Sequence, residues 1–171
     1  VIDSLVNSAP IRVNAGGIVN KIENNGTISA TGSKHSRGII SINTGIINQL
    51  VNTGTISAQG GSNSNHGIAI WNNSGTNLTN SGSISGTGGN SSYGIRVGSE
   101  GNISSITNSG TITGGTYGIA NSNNITNIIN TGTITGSAGY GIHNNEGNIT
   151  NLTNSQNNLT LLGNLPTNYY I

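Results

Sequence analysis

A short block, Asn-x-Gly-Thr-Ile-Ser/Thr, recurs along the chain and limits what it can fold into. It begins at Asn24 (NNGTIS), Asn52 (NTGTIS), Asn80 (NSGSIS), Asn108 (NSGTIT) and Asn130 (NTGTIT), with a degenerate copy, NSQNNLT, from Asn154. Successive starts lie 28, 28, 28, 22 and 24 residues apart. A second marker, Gly-Ile, follows in each unit at Gly38-Ile39, Gly67-Ile68, Gly94-Ile95, Gly118-Ile119 and Gly141-Ile142. A third is an apolar pair five and two positions before the next Asn: Val19 and Ile22, Ile47 and Leu50, Ile103 and Ile106, Ile125 and Ile128, Ile149 and Leu152. One copy has Gly75 in place of the first member and keeps only Leu78. A unit of this size cannot bury its own apolar face, so a fixed period means that successive units stack and cover one another.

Three β-branched segments per unit, each bounded by Gly, Asn or Ser, predict three short strands per coil. Ile, Thr, Asn and Gly are poor helix formers, and no apolar series of helical period is sustained. The expected fold is all-β: a parallel β-helix (β-solenoid) of about six coils, with strands about 4.8 Å apart. Its handedness is taken as right, from the preference of parallel crossovers. Ile28, Ile56, Ile84, Ile112 and Ile134 form one predicted interior column, and Ile39, Ile68, Ile95, Ile119 and Ile142 another. Residues 1–23 read as an opening coil, 24–153 as five regular repeats, and 154–171 as a degenerate last coil. Departure begins at Gln156, and the apolar tail LTLLGNLPTNYYI reads as a cut through a longer chain.

The composition fits this core. The chain has 26 Ile and no Phe, Met or Cys, which suits identical aliphatic layers. So much Ile with a net charge of +1 argues against disorder. A charged fraction of 5% argues against an ordinary enzyme domain. Two Lys and three Arg, scattered singly, form no basic stripe, so no nucleic-acid partner is expected. No apolar run approaches the roughly 20 residues a membrane span needs, so this segment is not expected to insert into a bilayer. Without Cys there are no disulfides or thiolate metal sites.

Asn24, Asn52, Asn80, Asn108, Asn130 and Asn154 are expected to stack at a corner as a structural ladder, each side-chain amide bonding to the next. Asn tolerates a left-handed backbone at such a corner, and the following Gly column (Gly26, Gly54, Gly82, Gly110, Gly132) is expected to supply a conformation that other residues would strain to adopt. Between the first two markers lie eight residues (30–37), nine (58–66), eight (86–93), then four (114–117) and five (136–140). The longer spans are expected to project as a ridge, the usual place for a binding surface in a repeat array.

Candidate ligand-binding residues precede each Gly-Ile: Arg37, His66, Tyr93, Tyr117 and Tyr140 form one outward column, with Trp71 near the same face. Such a stack suits a sugar or a peptide, or serves only to stabilise the coils. The first strands also present paired hydroxyls, such as Thr111 with Thr113 and Thr133 with Thr135, similar to the Thr-x-Thr ladders of ice-binding solenoids. A polysaccharide-degrading enzyme of the pectinase type needs clustered carboxylates. Only Asp3, Glu23, Glu100 and Glu146 are available, with Glu100 and Glu146 sharing a column two coils apart. His35, His66 and His143 fall in three different columns, against a shared metal site. No catalytic residue, metal or cofactor is expected.

The repeated NSGTITG, YGI and ITNI(I/L)N elements resemble the passenger domains of bacterial type V autotransporters, over Asn24 to about Asn154. The resemblance implies an extracellular or cell-surface β-helix that acts as an adhesin, aggregation factor, toxin or stalk. Its implied partners are a host-cell surface protein or glycan, or a second copy of itself, and a C-terminal translocator barrel is implied in the full-length chain. No Gly-Asp-Ser-Gly-like context is present, so no protease triad is carried over.

Overall fold

A computed structural model describes residues 2–71, 75–137, 139–157 and 159–170, with side chains from residue 9 onward. The chain winds into a parallel β-solenoid of about five turns, with no helix among the described residues. The first face is built from the leading part of Thr27–Ser41, then Thr55–Gly60, Ser83–Thr87, Thr111–Gly114 and Thr133–Gly136. The trailing part of Thr27–Ser41, Ser64–Ile70, Ser91–Val97, Tyr117–Asn121 and Tyr140–Asn144 form the second face. Ile18–Asn24, Ile46–Asn52, Thr76–Asn80, Asn102–Asn108, Asn124–Asn130, Asn148–Asn154 and Asn168–Tyr170 form the third. All pairings are parallel, and the three faces enclose one aliphatic core.

Register carries the repeat into three dimensions. On the first face Ile28, Ile56, Ile84, Ile112 and Ile134 pair in sequence. On the second face Ile39, Ile68, Ile95, Ile119 and Ile142 do the same. Both predicted interior columns are therefore present, and their members from Ile39 and Ile56 onward are almost wholly buried. In the copy where Gly75 replaces an apolar residue, a register shift brings Thr76 opposite Ile103. Its hydroxyl donates to the Ile47 carbonyl oxygen at 2.7 Å, so a polar group fills the column with its hydrogen bond made inside it.

The Asn ladder forms as expected. Nδ2 of Asn24 donates to Oδ1 of Asn52 at 2.7 Å, and the chain continues through Asn80, Asn108, Asn130 and Asn154 at 2.7 to 2.8 Å. From Asn24 to Asn108 each Nδ2 also donates to the carbonyl two residues on and to one in the following coil, as Asn52 does to Gly54 and Ser83, while Asn130 meets Gln156 Oε1 in place of the latter. The backbone expectation is corrected: only Asn43 and Glu146 have positive φ among described non-glycine residues, and the ladder glycines are not among the positive-φ glycines. Close approach is what these glycines provide. A Cβ at Gly54, Gly82, Gly110 or Gly132 would strike the carbonyl oxygen of the ladder glycine one coil earlier.

Two further expectations change. The eight-residue span 30–37 is no projecting loop but part of the continuous strand Thr27–Ser41, which turns the first corner while staying paired. The expected six coils reduce to about five: among the described residues only the short strands Leu161–Gly163 and Asn168–Tyr170 continue the second and third faces, and no first-face strand follows Asn154. Gln156 occupies that level instead. Its Oε1 accepts from the Ile134 backbone N–H at 2.7 Å, and its Nε2 donates to the Ile134 carbonyl at 3.2 Å. One side-chain amide thus imitates a neighbouring strand's peptide group on an otherwise open sheet edge.

The ladder's contribution is measurable. Asn80→Ala removes bonds to Asn52, Asn108, Gly82 and Thr111 in a buried setting, so urea denaturation is expected to show a loss of about 3 kcal/mol or more. Asn48→Ala, which breaks only an exposed bond to Asn20, should stay within about 0.5 kcal/mol of the parent.

Candidate recognition face

The Gly-Ile marker places the candidate site. A Cβ at Gly38, Gly67, Gly94 or Gly118 would press into Cγ2 of the first-face Ile in the following coil, at 2.7 to 2.8 Å. With no side chain there, the two sheets close tightly and the residue before each Gly turns outward. Arg37, His66, Tyr93, Tyr117 and Tyr140 then pair in one register column on the second face. His66 and Tyr93 stack at 5.0 Å between centroids, 4° from parallel, and Tyr93 and Tyr117 at 5.8 Å and 6°. Tyr140 stands off at 6.4 Å and 58°, while His143 approaches the Tyr117 ring at 4.4 Å.

A second outward column runs beside the first: Ile40, Ala69, Arg96, Ala120 and His143. Arg96 lies between two buried alanines, whose small side chains leave room for its guanidinium to lie across the face. It sits 5.6 Å from the Tyr93 ring centroid and 5.7 Å from that of Trp71. Trp71 is half-buried and rests over Gly98 of the next coil, where any Cβ would strike the indole. Arg96 therefore joins Trp71 to the tyrosine column through cation–π contact. Arg96 lies outside the column that precedes Gly-Ile, and its sequence signal is position alone: one step of outward alternation past interior Ile95.

The spans between the first and second faces are tied down. Asn65 is buried, accepts from the Ser36 backbone N–H at 3.2 Å and donates to the Gly88 carbonyl at 2.6 Å. Ser92 also bonds to the Gly88 carbonyl. Three coils are thus knitted at this corner by side chains that the repeat pattern does not mark.

The other candidate groups divide between this face and the rest of the surface. The first-face hydroxyl columns are in register and point outward, with Ser57 Oγ donating to Ser29 Oγ at 3.2 Å. Glu100 stands in an open groove with Arg12, Arg37 and Trp71, and Glu146 is not among that groove's lining residues. His35, His66 and His143 occupy separate register positions. Among the described residues no group of three His, Cys, Asp or Glu side chains is placed to hold a metal. Comparison with protein-family models, curated proteins and solved structures finds no match for this chain.

His66 is 3% exposed, and its pKa is lowered to about 3, chiefly by burial and then by the positive charges of Arg37 and Arg96. Its ring is neutral at neutral pH. In the unfolded chain it takes a proton near pH 6.5, so below that pH the unfolded state binds a proton the folded state refuses. Stability then falls by about 1.4 kcal/mol per pH unit, down to about pH 3. From about pH 6.5 to 5 the loss from this one residue is expected to be about 2 kcal/mol. His66→Tyr, which extends the tyrosine column, removes that share while His143 titrates equally in both proteins. Urea denaturation across this range checks it, and equal losses in the two proteins would assign the pH dependence elsewhere.

Proposed function

We propose that this chain is a non-enzymatic β-helical scaffold from the passenger of an autotransporter-like surface protein. Its second face, in this reading, serves adhesion by recognising a host-cell glycan or protein. It acts outside the cell, carried by a translocator barrel elsewhere in the full-length chain. The repeat elements support the passenger reading through their resemblance to that family, and the solenoid fold agrees with it.

One observation carries the adhesive role. The chain has one Trp, five Tyr and no Phe; Trp71 and three of the five Tyr, Tyr93, Tyr117 and Tyr140, fall on or beside one outer strip, while Tyr169 and Tyr170 lie exposed at the end of the third face. The aliphatic core does not need them. Elsewhere the outer surface carries hydroxyls and amides, as in the exposed pairs Asn124 with Asn148 and Asn151 with Asn168, with single exposed apolar side chains such as Ile18, Ile129 and Leu165. Aromatic side chains offer large contact area at low entropic cost, which is why recognition surfaces concentrate them.

The test is binding of the purified chain to host-cell surfaces and to a glycan array, beside a Tyr93→Ser/Tyr117→Ser/Tyr140→Ser variant of equal β-sheet content. Binding is expected to fall about tenfold or more in the variant. Equal binding by both, or none by the parent, contradicts the adhesive role.

A further inference from the structure

We propose that the groove beside Trp71 binds a carboxylated sugar unit of an acidic saccharide. This deepens the recognition reading above and rests on it, because the groove borders the same face and shares Arg37 and Trp71 with it. The groove is open and has a volume of about 430 Å³, within the range of small-molecule sites. Its walls include Arg12, Arg37, Ile40, Trp71, Ser99 and Glu100.

Each wall supplies a different part of that chemistry. The half-buried indole presents an electron-rich face, against which the C–H groups of a sugar ring carry complementary partial charge. Ile40 continues the apolar floor and is 5% exposed. Arg12 and Arg37 offer planar donor forks that match a carboxylate, and Ser99 with Glu100 offers partners for ring hydroxyls.

Charge selects the anion. Arg12 and Arg37 face one groove with one carboxylate, Glu100, and no ion pair links these three; the ion pair among the described residues joins Lys21 to Glu23 at 2.6 Å. Nε of Arg37 is buried with no hydrogen-bond partner, a costly state for a charged group. Burial and the neighbouring charge of Arg12 both disfavour the protonated Arg37 guanidinium. A carboxylate lying between the two arginines relieves the repulsion. An acidic peptide would meet the same charges but has no ring to lay on Trp71.

The experiment measures binding of trigalacturonate, its methyl ester and triglutamate by calorimetry. The proteins are the parent chain, Arg12→Gln, Arg37→Gln, Trp71→Ala and Lys21→Gln, which removes a cation outside the groove. The parent and Lys21→Gln are expected to bind trigalacturonate alike. Esterification, Trp71→Ala and either groove arginine substitution should each weaken binding about tenfold or more. Exposed Arg12 gives an answer even if Arg37→Gln fails to fold. Equal binding of the ester or of triglutamate, or no binding of trigalacturonate, overturns the proposal. If trigalacturonate fails while tyrosine-dependent cell binding persists, the groove assignment falls alone; if both fail, the recognition reading falls with it.

Discussion

The structure depends on one hydrogen bond repeated down its axis: a buried Asn side-chain amide donating to the same amide one coil away. A strand shifted by one residue would exchange its inner and outer side chains. Stacked Ile offers little protection against other errors, since neighbouring aliphatic layers look alike. A buried Asn out of line would leave its own donors unpaired together with the carbonyls it serves, such as those of Gly54 and Ser83 for Asn52. Register is thus specified by polar groups, while burial of Ile supplies most of the driving force.

Close approach of backbones is the second constraint. The ladder glycines lie against the glycine carbonyls of the preceding coil, and the Gly-Ile glycines admit the Ile of the following one. Together they fix which residues turn outward before each second-face Ile. The aromatic column follows from core packing: the strip made by His66, Tyr93 and Tyr117 is straight because the Ile columns beneath it are in register.

Most of this fold was legible in the sequence because a repeat states the same physical instruction several times. The Asn markers, Gly-Ile and the two interior Ile columns each map onto one place in the coil. What escaped was carried by single residues. Nothing periodic marks Gln156 as an imitation of a strand, or Thr76 as a shifted replacement for Ile. Asn65 escaped in the same way, although it ties three coils at one corner. The candidate face was legible as a column of Arg37, His66, Tyr93, Tyr117 and Tyr140, and Arg96 stands one step of outward alternation past Ile95. Arg12 joins the groove through side-chain reach across coils, which column spacing does not encode. The backbone expectation for the Asn and Gly columns failed for a related reason: residue type alone does not separate a glycine needed for its φ from one needed for its missing Cβ.

The most direct measurement is NMR of the Asn side-chain amides. An in-register ladder predicts nuclear Overhauser contacts between the Nδ2 protons of successive members from Asn24 to Asn154. It also predicts exchange with solvent far slower at Asn52, Asn80 and Asn108 than at exposed Asn48. Uniformly fast exchange, or contacts linking non-successive coils, would contradict the ladder as the element that sets the stack.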